Sequence, residues 1–151
     1  MKVSFDFDET LTEDGVWQYA LELIDRGVEV WIVTARMDDK TLNREYGSFF
    51  KKFPEQKTGW LDNTDIFEMA EALGIPKNQI VFTNLAGKGT TFFSKNNDFI
   101  WHLDDAPKQL WDIKMKSSVI PISVLNPIWK SKCEQEIRGA DTQNYLKKSG
   151  T

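Results

Sequence analysis

Cysteine is almost absent from this chain: 151 residues carry only Cys133. A single thiol cannot close an intrachain disulfide, which excludes a cystine-stapled secreted scaffold and suits a reducing cytoplasm. Cys133 sits among Lys130, Lys132 and Glu134 and reads as an ordinary thiol. Proline and glycine are modest, 5 and 9 residues, which excludes a collagen-like or low-complexity chain. No apolar run approaches the ~20 residues of a membrane helix. The opening Met1-Lys2-Val3-Ser4-Phe5-Asp6-Phe7-Asp8 puts two acids where a secretory signal needs an apolar stretch, so a cytoplasmic location is expected. Basic excess is missing as well: 19 Lys+Arg against 23 Asp+Glu leaves a net charge of −4, not the footprint of a nucleic-acid or membrane binder. What is present is globular, with 40% hydrophobic, 13% aromatic and 28% charged residues, enough for one domain over residues 1–151.

Short apolar runs alternate with helix-like segments. Val3, Phe5 and Phe7 fall on one side of a period-two strand, with Ser4, Asp6 and Asp8 on the other. Val16, Trp17, Ala20, Leu23 and Ile24 recur at helical spacing between a candidate cap, Asp14, and a stop at Gly27. Val28 to Val33 form a second strand ending at Thr34-Ala35-Arg36. Two helices follow, one over residues 38–53 with Leu42, Tyr46, Phe49, Phe50 and Phe53, the other bearing Ile66, Phe67, Ala70 and Leu73. Ile80-Val81-Phe82-Thr83 and Phe99-Ile100-Trp101-His102-Leu103 are the third and fourth strands, separated by Gly87-Lys88-Gly89 and a short segment with Phe92 and Phe93. Pro107 suits the first turn of a helix, and Pro121 confines a fifth strand, Val119 to Val124, to a sheet edge. Beyond about residue 126 the pattern fades into a peripheral segment, expected as a short helix and a frayed tail.

This alternation predicts an α/β fold: a Rossmann-like three-layer sandwich around a central, mostly parallel sheet of about five strands. Such sheets bind ligands at the carboxyl ends of their strands. Those ends here are Asp6/Asp8, Thr34, the turn from Thr83 to Lys88, and Asp104/Asp105. Several carboxylates converging on one rim repel one another, and a hard divalent cation, Mg²⁺, which takes oxygen ligands and shares its shell with phosphate, relieves that repulsion. With a phosphoryl group present, Asp6 is placed to attack phosphorus and Asp8 to serve as acid and then base, while Thr34 and Lys88 offer a hydroxyl and a charge to phosphate oxygens. The turn around Lys88 is not a nucleotide-binding P-loop, because Gly89 follows the lysine and Phe82 stands where the first glycine belongs.

Phe5-Asp6-Phe7-Asp8-Glu9-Thr10-Leu11 resembles the first motif of the haloacid dehalogenase superfamily, an apolar strand followed by Asp-x-Asp-x-Thr. Val30 to Arg36, with Thr34, is similar to its second motif, and Trp101-His102-Leu103-Asp104-Asp105 to its fourth in the Asp-Asp form. Lys88 fits the third motif, with Lys95 as its competitor. The motifs stand in family order over residues 5–105, about two-thirds of the chain. The resemblance implies a Mg²⁺-dependent phosphatase acting through an aspartyl-phosphate on Asp6. In it Asp8 is general acid/base with its backbone carbonyl on the metal, Thr34, Ala35 and Lys88 hold phosphate, and Asp104 ligates Mg²⁺ with Asp105 helping directly or through water. No large cap fits after the first or the third strand; the Glu55–Asn63 loop alone is placed to lean over the site. Such open sites accompany exposed phosphates of large substrates or nucleotides, so the expected partner is a phosphorylated substrate such as a nucleotide or a polynucleotide end. The alternatives are a catalytically silent module of the same fold binding a phosphorylated partner, and a phosphorelay receiver domain. The receiver carries its phospho-acceptor on the third strand, where this chain has Thr83-Asn84.

Arg36 is expected either to touch substrate or to pair with Asp38 or Asp39, His102 to be a packed or rim histidine, and Trp60 and Trp129 to be core or edge residues with substrate lining as the alternative. Lys130, Lys132, Arg138, Lys147 and Lys148, interleaved with acids, read as a solvated surface.

Overall fold

The computed structural model describes residues 1–149. Five strands, β1 (Lys2–Phe5), β2 (Glu29–Thr34), β3 (Ile80–Phe82), β4 (Phe99–Asp104) and β5 (Ile120–Ser123), form one sheet in the order β3-β2-β1-β4-β5. Every pairing is parallel. The helices are α1 (Asp14–Asp25), α2 (Asp39–Lys52), α3 (Thr64–Leu73), α4 (Pro107–Lys116) and α5 (Trp129–Lys148). This is the α/β, Rossmann-like three-layer architecture that the strand–helix alternation implies, with a wholly parallel sheet.

Alternating side chains divide the core between the two faces of the sheet. Val3, Phe5, Val30, Ile32, Trp101, Leu103 and Ile122 pack with Val16, Tyr19 and Leu23 of α1, Ile66 and Ala70 of α3, and Cys133 and Ile137 of α5. Val33 and Phe99 pack instead with Phe93, Val119 and Ile113 of α4. Phe99 and Trp101 are two apart yet lie in different clusters, because the β1–β4 register slips between Lys2↔Phe99 and Ser4↔His102. A bulge of this kind inverts side-chain parity. It turns His102 to the α4 face just before the strand reaches Asp104.

Two local readings change. The α1 cap is not Asp14: the helix begins there with Glu13 at the cap position, and the Asp14 carboxylate accepts from Trp17 Nε1. Helix α2 buries only Leu42, and Phe49 and Phe53 of its aromatic stripe are exposed. The expected short C-terminal helix is α5, 20 residues long, whose first half docks on the sheet through Cys133, Ile137 and a hydrogen bond from Trp101 Nε1 to the Cys133 carbonyl. Its charged exterior concealed that apolar contact. Glu134 on α5 accepts from the Tyr19 hydroxyl at 2.6 Å and from Arg26 at 3.0 Å, tying α5 to α1. Burial pushes the Cys133 thiol well above its ordinary range, as suits an inert thiol. Among the described residues no helix is long and apolar enough to cross a membrane.

Candidate active site at the carboxyl rim of the sheet

Register places the acids. Phe5 of β1 is level with Ile32 of β2 and Leu103 of β4, so the next residues, Asp6 and Asp104, leave adjacent strands side by side. The Asp6 amide still donates to the Leu103 carbonyl at 2.8 Å, continuing the ladder one residue past β1. A single wide helical turn, Phe7–Leu11, then reverses the chain, with the Leu11 amide on the Asp6 carbonyl and Glu9 at φ +58°. This turn sends the two motif acids apart: Asp6 is buried, whereas the Asp8 side chain is half exposed and reaches the opposite way, to Arg36.

Lys88 lies at the centre of the cluster. Its ammonium, 1% exposed, donates to Asp6 Oδ1 at 2.8 Å and to Asp104 Oδ2 at 2.6 Å. Lys95 is exposed, beyond the short turn Gly89–Phe93. Of the two candidate lysines, Lys88 is the one brought to the acids. The flanking glycines serve a close approach, but to helix α4 rather than to a ligand. A Cβ on Gly89 would run into the Asp112 carbonyl, and one on Gly87 into the Asp112 carboxylate. The Lys88 amide donates to Gln109 Oε1 at 2.8 Å and the Thr90 amide to Asp112 Oδ2 at 2.7 Å, so α4 clamps the lysine from both sides.

His102 completes the inner shell. Its Nε2 lies 2.8 Å from Asp104 Oδ2 and its Nδ1 2.8 Å from Ser4 Oγ. Burial, assisted by the nearby Lys88 ammonium, lowers its pKa to about 4. The ring is therefore neutral, and the two contacts assign the proton to Nε2, donating to Asp104, with Ser4 donating to Nδ1. Asp104 and Asp6 are driven in opposite directions. Burial opposes ionisation of Asp104, but the His102 N–H and the Lys88 ammonium outweigh it and hold the carboxyl well below its ordinary range. Burial dominates at Asp6, only partly countered by Lys88 and reinforced by Asp104, and raises that carboxyl well above its ordinary range. Lys88, opposed by burial but facing two carboxylates, is held in its charged form. Neighbouring carboxyls pushed apart in pKa are a hallmark of catalytic sites.

Oxygens of Asp6, Asp104 and Asp105 lie within 4.8 Å of one another. Thr10 Oγ1 bridges toward Asp6 Oδ2 at 3.4 Å and Asp105 Oδ1 at 3.5 Å. Three carboxyl groups meet one ammonium there, on hard oxygen donors with no thiolate or free imidazole among them. That donor set fits a cation such as Mg²⁺. Asp8 offers no side-chain ligand here, since Arg36 holds both its oxygens, at 2.9 and 2.7 Å; its backbone carbonyl is the group left for a metal. Thr34 is buried, its Oγ1 accepting from the Arg36 amide at 3.2 Å. A cavity of about 230 Å³ is lined by all seven residues named from the sequence, Asp6, Asp8, Thr34, Ala35, Lys88, Asp104 and Asp105, together with Arg36, Ala106 and Gln109.

Arg36 pairs with neither Asp38 nor Asp39. It lies buried over the Phe7 ring, 5.1 Å from its centroid, and forks onto Asp8 and onto both oxygens of Asp65 in α3, at 2.8 and 3.0 Å. Trp60 borders a second and larger cavity beside the first, and Trp129 packs edge-on against Tyr19 while bordering a separate cavity with Glu9, Val124 and Leu125. His102 was legible in principle, two residues before Asp104 on the same strand. Asp65 carries no sequence signal that would tie it to the site. No family model, no curated protein and no solved structure matches this chain.

Proposed function

We propose that the protein hydrolyses phosphomonoesters with Mg²⁺, through a phosphoryl group carried transiently on Asp6. The observation that carries this reading is the single cavity in which Asp6, Lys88, Thr34 and the Asp104-Asp105 pair converge from separate strand ends. Asp6, Asp104 and Asp105, with the Asp8 carbonyl, would hold Mg²⁺, which supplies positive charge to the phosphoryl oxygens when bound. Lys88 and the Thr34 hydroxyl, with backbone N–H groups near Ala35, orient the phosphoryl group and offset its charge. Asp6 attacks phosphorus, forming the Asp6 O–P bond as the ester P–O bond breaks; Asp8, once one oxygen is released from Arg36 and has taken a proton from solvent, gives that proton to the departing oxygen. A water then attacks phosphorus, Asp8 takes its proton, and the Asp6 carboxylate is released with inorganic phosphate. Arg36 holds Asp8 by both oxygens, so Asp8 must exchange one of these bonds for the leaving oxygen at each turnover.

The test is phosphate release from a small aryl phosphate, with and without Mg²⁺. The wild-type chain is expected to release phosphate only with the metal, and Asp6→Asn to lose at least about 10³-fold in rate. Binding of the phosphate ester without any release would favour a silent phosphate-binding module instead.

A further inference from the structure

Beside the acid cluster lies a cavity of about 750 Å³, and the two cavities share Asp8, Ala35 and Arg36 as walls. The larger one has an apolar side made by Phe7, Trp60 and Leu85. Trp60 is 46% exposed and Leu85 61%, so both offer apolar surface to an occupant of the cavity. Leu85 also has φ +68°, a conformation costly for a branched side chain. It is kept there by its amide bonding the Ala35 carbonyl at 2.6 Å, so the wall of the large cavity is tied to the phosphate segment of the small one. The polar side of the large cavity carries Asp8, Glu9 and Asp65 against Arg36 alone.

We propose that this cavity receives the leaving group of the substrate, and that the substrate class is a phosphomonoester with a single phosphate and an uncharged or cationic aromatic ring, a nucleoside monophosphate rather than a polynucleotide end. The proposal rests on the phosphatase reading above. A cavity of this size holds a nucleoside, and the exposed indole of Trp60 gives its base a face on which to stack. The three carboxylates repel a second phosphate, which any neighbouring nucleotide of a polynucleotide would bring in.

The experiment compares kcat/KM for glycerol phosphate, adenosine 5′-monophosphate and a 5′-phosphorylated oligonucleotide, in the wild-type chain and in Trp60→Ala. The expected order places the mononucleotide first, and the ratio of mononucleotide to glycerol phosphate falls about tenfold in Trp60→Ala. Trp60→Phe, which keeps an aromatic face, restores most of that ratio. Equal ratios in wild type and Trp60→Ala, or an oligonucleotide preferred over the mononucleotide, overturn the cavity assignment while leaving the phosphatase reading standing. If no ester is hydrolysed, the phosphatase reading fails, and the cavity is judged by tryptophan fluorescence with adenosine 5′-monophosphate. Saturable quenching lost in Trp60→Ala supports the assignment; no quenching overturns it.

Discussion

Between Ser4 and Asp104 stands one neutral imidazole that decides how the buried Asp104 carboxylate is held. His102 donates to Asp104 Oδ2 and accepts from Ser4, in a pocket without exposure at any of the three. Removing the ring's nitrogens while keeping its bulk takes the side-chain partner from the buried Ser4 hydroxyl and one of two partners from Asp104 Oδ2, which keeps Lys88. His102→Phe is therefore expected to lower stability by about 1–3 kcal/mol, read from urea unfolding, and to raise the Mg²⁺ concentration needed for hydrolysis. An unchanged urea midpoint together with an unchanged Mg²⁺ titration would show that the imidazole merely fills space. The acids, Thr34 and Lys88 were legible in the sequence because each is a polar residue at or just after an apolar strand, where a parallel sheet gathers its ligands. Arg36 was visible as a residue but not as a partner of Asp8: its second anchor, Asp65, comes from a helix whose orientation no local pattern encodes.

Helices α2 and α4 show how elements are fixed around the site by different means. Two glycines let α4 approach the Lys88 turn closely, and Asp112 and Gln109 then seize its backbone. Helix α2, which buries only Leu42, depends more on its ends. The Asp38 side chain caps it, accepting from the Thr41 amide at 2.7 Å, and that backbone bond lowers the Asp38 pKa. A depressed carboxylate pKa contributes stability that is present above the unfolded value and lost as pH falls through the folded one. Asp38→Ala is thus expected to cost about 1 kcal/mol near neutrality, and the difference from wild type should shrink as pH drops below about 4. Thermal unfolding of both proteins across pH 3–7 checks this; a gap that is constant, or that widens in acid, contradicts the cap. Periodicity located α2 but said nothing of its surroundings, since an aromatic stripe at helical spacing looks alike whether it meets a core or solvent. The same limitation made the C-terminal helix look short, because the docking of α5 rests on Cys133 and Ile137 amid a run of charges.

At the scale of the whole molecule, topology makes the site. The order β3-β2-β1-β4-β5 sets β1 at the centre with β2 and β4 on either side, so Asp6, Thr34 and Asp104 emerge within reach of one another although they are far apart in sequence. The strand alternation pointed to a parallel sheet and to the rim that carries these residues, but not to the order of its strands. The neighbouring 750 Å³ cavity did not show in it, because its walls come from a crossover loop and from a residue at positive φ. The central claim is that Asp6, buried beside Lys88, is the atom-for-atom acceptor of the phosphoryl group. Its most direct measurement is mass spectrometry of peptides from the chain quenched in acid during turnover of an aryl phosphate with Mg²⁺. The account requires the peptide bearing Asp6 to gain the mass of one phosphoryl group, with no gain in Asp6→Asn. Steady turnover with that peptide unmodified, or with the phosphoryl group on another residue, would contradict it.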